Sequence, residues 1–374
     1  MRRWWQTFIE SAAGVDKHFS KRAEFDLRAL MNVLNEVDPH LMWEFGPAIT
    51  KQGHRLCITP ESRPELRPML NVLLDCAPRL DRWEFYPYRL RDTPETDPII
   101  IDGRTKISRD GVTASAARGR GNRVDVRYFL PESAMADDRA AQSFAFYSTE
   151  RLLGEETLDV WIGGIAAIAE TAPPQAGSMR MPLTRLTPMV QSVIQSITDQ
   201  LPAFPRFAHQ EPHDPQNPQG GVFKLPPPPE RAEFAGWSDL MFATSREVPL
   251  WQACHAKAAF YSRRFSKHGE EFCYLKIDRA QNPDLATVAE RAKIEDTLTR
   301  RLTEAQLGCA VGGGTGKVYS YIELVLTDPE KAVPVIREVL EQTQSNYRTW
   351  LLFYDRTMAD EWVGATDETP APPE

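Results

Sequence analysis

From Glu271 to Asp355 the apolar positions change period in a readable order. Phe272-Cys273-Tyr274-Leu275-Lys276-Ile277 is rich in strand formers and stops at Asp278. Asn282-Pro283-Asp284 then predicts a helix start, because Asn caps well and Pro is tolerated at the first helical position. Leu285, Val288, Ala289 and Ala292, then Ile294, Leu298 and Leu302, continue that helix at spacings of three and four. Leu307 to Val311 predicts a short strand. Gly312-Gly313-Gly314-Thr315-Gly316 predicts a turn, since glycine reaches positive φ cheaply. Val318 to Leu326 predicts the returning strand. On it Ile322, Leu324 and Leu326 share one face, while Tyr319, Tyr321 and Glu323 share the other. Asp328-Pro329-Glu330 opens a second helix with the stripe Ala332, Val333, Ile336, Val339 and Leu340, and Thr349 to Tyr354 closes the pattern.

Strand, helix, strand, strand, helix, strand is the order of a ferredoxin-like βαββαβ sandwich, an α+β fold. Its helices cover one sheet face. The other face then has to meet solvent, a partner or another domain. Lys293-Ile294-Glu295-Asp296 and Gly316-Lys317-Val318-Tyr319-Ser320-Tyr321 resemble an uncharacterised bacterial ferredoxin-like domain family. That family is in turn distantly similar to the protein inhibitor of ribonuclease E. The resemblance covers about the last third of the chain. It implies a small intracellular domain that acts by binding proteins, and it brings no catalytic residues.

Upstream, Glu24 to Val37 predicts a helix, Leu41 to Phe45 and Arg55 to Thr59 a hairpin, Pro64 to Leu74 a helix and Trp83 to Tyr86 a strand. Thr105 to Ala114 and Arg123 to Leu130 predict two strands around Arg118-Gly119-Arg120-Gly121-Asn122. A helix from about Arg139 to Leu153, a strand from Leu158 to Ile168 and a helix from Pro182 to Gln200 complete an α+β domain over residues 1–200. Residues 201–233 are rich in proline, including Pro226 to Pro229, and predict a linker. The ferredoxin-like domain then occupies 234–364, and the acidic, proline-rich 365–374 predicts a disordered tail.

Composition narrows the function classes. The chain has 374 residues and a net charge of −8, which argues against general affinity for nucleic acid or anionic membrane. Five scattered cysteines with no C-x-x-C pair fit a reducing cytoplasm. No run is long enough for a transmembrane helix. Trp4 and Trp5 on a helix predict packing onto the first domain; a membrane-surface anchor is the rival reading, diluted by Glu10 and Asp16.

No catalytic residue, cofactor or metal is implied by any motif. Gly312 to Lys317 lacks the first glycine and the hydroxyl of a phosphate loop, and a strand follows it where a helix is needed. His209 and His213 have a metal-like spacing, but Pro212 and Pro215 deny them the helix that would align them. Lys317 to Ile322 approximates an RNA-recognition strand, with Tyr274 offering a third aromatic. Against that, Glu270 to Glu361 holds eleven Lys/Arg and sixteen Asp/Glu, the wrong balance for an RNA platform. Arg118, Arg120 and Arg123, with Arg104, Lys106, Arg109 and Arg127 nearby, make one hairpin basic and able to face an acidic partner. Tyr274, Tyr319, Tyr321 and Glu323 form the expected binding face. The expectation is therefore a non-catalytic cytoplasmic regulator or inhibitor that binds another protein. The rivals are an enzyme of unrecognised type with a site between the domains, and RNA binding by the C-terminal sheet face.

Overall fold

The computed structural model describes residues 1–21, 24–92, 99–101, 105–209, 220–279, 288–345 and 347–374. The chain is a mixed α+β protein in two compact units. One unit holds Met1–Gly119 with Arg123–Ile194; the other holds Arg120–Asn122 with Gln195–Glu374.

In the N-terminal unit, α1 (Arg2–Phe19) and α2 (Leu27–Asn35) precede β1 (Met42–Pro47) and β2 (His54–Thr59). Helix α3 (Arg67–Asp75) then crosses to β3 (Trp83–Tyr86), which lies parallel to β2. Trp4, Trp5 and Phe8 of α1 are buried against this sheet, and Trp5 Nε1 donates to Leu73 O at 2.7 Å. Those tryptophans are core, so they offer nothing to a bilayer surface. Strands β4 (Ile99–Ile101) and β5 (Thr105–Ile107) pair with each other. The expected strand from Thr105 to Ala114 is interrupted: Gly111 takes φ 73°, Val112 N donates to Arg109 O, and β6 (Thr113–Arg118) starts afresh. Asp110-Gly111 is a turn dipeptide whose glycine supplies the positive φ. After β7 (Val124–Leu130) come α4 (Asp138–Leu153) and α5 (Glu155–Trp161), then β8 (Ile162–Ala169), parallel to β7. The expected strand from Leu158 thus begins as a helix. Gly154 at φ 81° ends α4 and restarts the chain helically at Glu155. The short β9 (Met181–Pro182) borders β6, and α6 (Leu186–Asp199) leads out of this unit.

The C-terminal unit opens with β10 (Gly221–Lys224), β11 (Leu240–Ser245) and α7 (Val248–Cys254). The pattern read from the sequence follows: β12 (Glu271–Asp278), α8 (Val288–Glu304), β13 (Gly308–Gly316), β14 (Tyr319–Leu326), α9 (Pro329–Gln342) and β15 (Thr349–Phe353). The expected helix start at Asn282-Pro283-Asp284 lies outside the described residues. A last strand, β16 (Trp362–Gly364), pairs with β15. The seven strands run in the order β10-β11-β13-β14-β12-β15-β16, every pair antiparallel. Leu275, Ile322 and Leu324 pack under Ile294 and Leu298 of α8 and Ile336 and Val339 of α9.

Three expectations are corrected here. Gly312 to Gly316 is strand, not turn; the chain reverses at Lys317-Val318. An added Cβ at Gly312 would stand 2.4 Å from Thr244 O and 2.7 Å from Glu323 Oε2. At Gly313, facing the other way, it would stand 2.8 Å from Tyr321 O and 3.1 Å from Arg291 Nε. Close approach on both faces, rather than a turn, requires the run. Second, the described parts of the expected linker, 201–209 and 220–233, belong to the C-terminal unit. Arg206 is buried and pairs with Glu270 at 2.8 Å, and Phe223 of β10 stacks on Trp251 at 3.6 Å between ring centres. Third, the tail is docked: Trp350 Nε1 donates to Pro370 O at 2.6 Å, with Ala365 and Thr369 buried.

A fragment of residues 234–374 should therefore unfold or aggregate, whereas 195–374 should melt cooperatively. The shorter piece leaves Glu270 a buried carboxylate without its arginine, and such a broken pair costs about 3–5 kcal/mol. Circular dichroism melts of the two fragments check this; equal melting temperatures would remove 195–233 from the folded unit.

Candidate functional site

The expected binding face of the C-terminal sheet is a second core. Tyr274, Tyr319, Tyr321 and Glu323 do share the face opposite α8 and α9, as their alternation requires. That face is not open. Tyr319 is 0% and Tyr321 3% exposed, and Tyr274 and Glu323 are also buried. The cover is local: Phe223 and Leu225 of the first hairpin, Phe234, Trp237, Leu240 and Trp251 all pack on these rings. An aromatic pair on a central strand has thus been covered by the chain's own preceding segment. A base cannot stack on rings so enclosed, which removes the sheet face as an RNA platform.

Two polar clusters lie within this second core. In the first, Asp239 is fully buried and accepts from Val318 N at 2.7 Å, Tyr319 N at 3.0 Å and the Tyr321 hydroxyl. Lys276, also fully buried, donates from Nζ to Phe234 O and lies 4.1 Å from the Tyr319 ring centre. Burial brings its ammonium down to about 8. These bonds clamp the β13–β14 turn and the chain before β11 onto β12.

The second cluster centres on Glu323. Tyr354 Oη donates to Glu323 Oε1 at 3.4 Å, and His255 Nε2 lies 4.0 Å from the same oxygen. His255 Nδ1 sits 3.0 Å from Trp251 O, a carbonyl, so Nδ1 carries the proton. Trp251 stacks on the imidazole at 4.2 Å and on Phe223 beyond it. Burial pushes the Glu323 carboxyl up to about 8 and the His255 imidazole down to about 4, so both are neutral near pH 7. Burial first, and then Asp355, raises Glu271 to about 7. An open cleft of about 410 Å³ borders the cluster, lined by Cys254, Lys257, Phe260, Tyr354 and Arg356 among others. Neither Glu323 nor His255 lines it. Tyr354, bonded to Glu323, is the member of the cluster that reaches the cleft.

Gly312→Ala tests this packing. The methyl would strike the Thr244 carbonyl and the Glu323 carboxyl, and overpacking of this kind costs about 1–3 kcal/mol. Urea unfolding of the chain should show the loss, and an unchanged midpoint would mean the glycine run answers to something other than close approach.

The basic hairpin is the β6–β7 turn. Arg118 and Arg120 are exposed and Arg123 is half-buried, and all three have partners within the protein. They are therefore not a free cationic patch. Of the histidine pair, His209 ends a short 3-10 turn and His213 lies outside the described residues. Among the described residues no three His, Cys, Asp or Glu side chains are placed to hold a metal ion. No described helix is long and apolar enough to cross a membrane.

Sequence reasoning missed the edge of the sheet. β10 pairs with β11 alone among the described strands, with Val222 opposite Thr244 and Lys224 opposite Phe242. Val222 is 81% and Phe242 49% exposed, and both point to the side of the sheet that carries α8 and α9. The signal was present as Gly221-Val222-Phe223-Lys224, a short alternation hidden between prolines. No protein-family description, no curated protein and no solved structure matches this chain.

Proposed function

We propose that this protein is a non-catalytic, protein-binding regulator whose C-terminal unit is a ferredoxin-like sandwich extended at both edges. The spatial order β13-β14-β12-β15, with α8 and α9 on one face, supports that fold: first and third strands of the βαββαβ unit lie at the centre. The observation that carries the binding reading is the β10–β11 edge. A terminal hairpin whose outer strand pairs on one side only among the described residues, and which exposes Val222 and Phe242, is a surface that natural proteins either shield or use. The resemblance to a family of protein-binding domains points the same way.

The test is purification of the full chain from a native lysate at physiological salt. A stoichiometric protein partner is expected to co-purify and to dissociate as one complex in mass spectrometry. A free chain that instead turns over small molecules in a broad activity screen would overturn the reading.

A further inference from the structure

The exposed edge has a wall as well as a floor. In β11, Phe242 and Thr244 alternate onto the side that carries the helices, and Arg246, just past the strand, acts on Glu295 of α8. Thr244 pairs with Gly313 and Phe242 with Thr315 of β13. Arg291 of α8 donates to Thr315 Oγ1 at 2.7 Å and lies against Gly313 together with Glu295. The Arg291–Glu295 flank of α8 therefore stands along the inner side of the β10–β11 floor. Val288 lies one turn earlier on the same flank and is 61% exposed. Beyond this flank the sheet continues for two strands, β11 and β10, whose side chains on this side, Val222, Lys224, Phe242 and Thr244, are exposed. A helix laid beside α8 would fill that step in the layer, since helices and sheets bury their apolar faces on each other.

The charge of the step is specific. Lys224 on β10 and Arg246 just past β11 are exposed, while Arg291 in the wall is buried. Glu295 faces both Arg291 and Arg246, and Glu323 also acts on Arg291, which leaves Lys224 as the cation of the step with no acid paired to it among the described residues. A cationic step on a chain of net charge −8 is against the average of the surface.

Resting on the protein-binding reading above, we infer that this step receives an amphipathic helix of a partner protein. Its apolar stripe meets Val222, Phe242 and Val288, and its flanking Asp and Glu residues meet Lys224 and Arg246. An anchored apolar face gives affinity, and opposite charges at the rim give orientation.

The experiment uses the full chain and a display library of unbiased 16-residue peptides. Binders are selected on the wild type and depleted on Val222→Ser/Phe242→Ser, a double change of exposed side chains whose fold is checked by its melting curve. Binders are expected with apolar residues at helical spacing and an excess of Asp and Glu. One of them, made as a free peptide, should bind the wild type at least about tenfold more tightly than the serine variant. Lys224→Glu/Arg246→Glu should weaken it again, and added salt should weaken it only on the wild type. Binders with period-two alternation would overturn the helix in favour of strand addition to β10. Basic binders would overturn the charge assignment. If no binder depends on Val222 and Phe242, the step is not a docking site. If the co-purified partner also stays bound to the serine variant, protein binding stands and this location fails; if no partner co-purifies at all, the parent reading fails.

Discussion

Arg67→Ala should lower the stability of the N-terminal unit by about 3–5 kcal/mol, the range for breaking a buried ion pair by removing one member. Arg67 begins α3 and is buried. Its Nη2 reaches Glu155 Oε1 at 2.6 Å and Asp159 Oδ2 at 3.4 Å, and its Nη1 donates to Pro87 O. The guanidinium also lies 3.8 Å from the Tyr88 ring centre. Glu155 in turn accepts from the Thr59 hydroxyl and from Arg89 N at 2.9 Å. One arginine thus ties the end of β2, the start of α3, the chain after β3 and the start of α5. Alanine would leave Glu155 buried with its charge uncompensated. The paired change Arg67→Met/Glu155→Leu should be much milder, because it removes both charges and keeps volume. Hydrogen exchange of the β2 and β3 amides, read by mass spectrometry, reports this unit separately. A single variant no less stable than the pair would show that the ion pair is not what joins these elements.

That tie explains why parts of the N-terminal unit were hard to read from sequence. Long amphipathic stretches such as Leu186 to Asp199 declare themselves through period alone. Glu155 to Trp161 does not: Leu158, Val160 and Trp161 suit a strand as well as a helix. Its helical state follows from Gly154 at positive φ and from a partner for Glu155 that lies 88 residues away in sequence. The C-terminal unit shows the same division. Alternation separated Tyr319 and Tyr321 from Ile322 and Leu324 correctly, because a strand has only two faces. What covers the tyrosine face could not be read, since the cover comes from residues between prolines that resemble a linker. The glycine run misled for a related reason. Composition says that glycine permits a turn, but only the neighbouring Thr244, Glu323 and Arg291 show that here it permits contact.

Between pH 6.5 and 8 the C-terminal unit should lose about 1.6 kcal/mol of stability through Glu323 alone, from a slope near 1.36 kcal/mol per pH unit that halves by pH 8. The sign follows from the folded pKa of about 8, raised by burial above the ordinary 4.5. The folded state holds a proton that the unfolded state has already released. The stabilising contribution is therefore complete below pH 4.5 and is lost as pH climbs through 8. His255 works in the opposite sense, because its pKa is lowered to about 4 from 6.5, and only about 0.4 kcal/mol of its effect remains above pH 6.5. Glu271, raised to about 7, adds to the loss in the lower part of the window. Lys276, lowered to about 8, acts with the opposite sign between there and its ordinary 10.5, so the titration should stop at pH 8. Glu323→Gln keeps the shape beside Gly312 and an oxygen for Tyr354, and it cannot ionise. The difference in stability between wild type and variant should then fall with pH across the window, read from hydrogen exchange of the β12 and β14 amides with intrinsic exchange corrected at each pH. Parallel curves would mean that Glu323 is already ionised in the folded protein, and the neutral Glu323–Tyr354–His255 cluster would have to be abandoned.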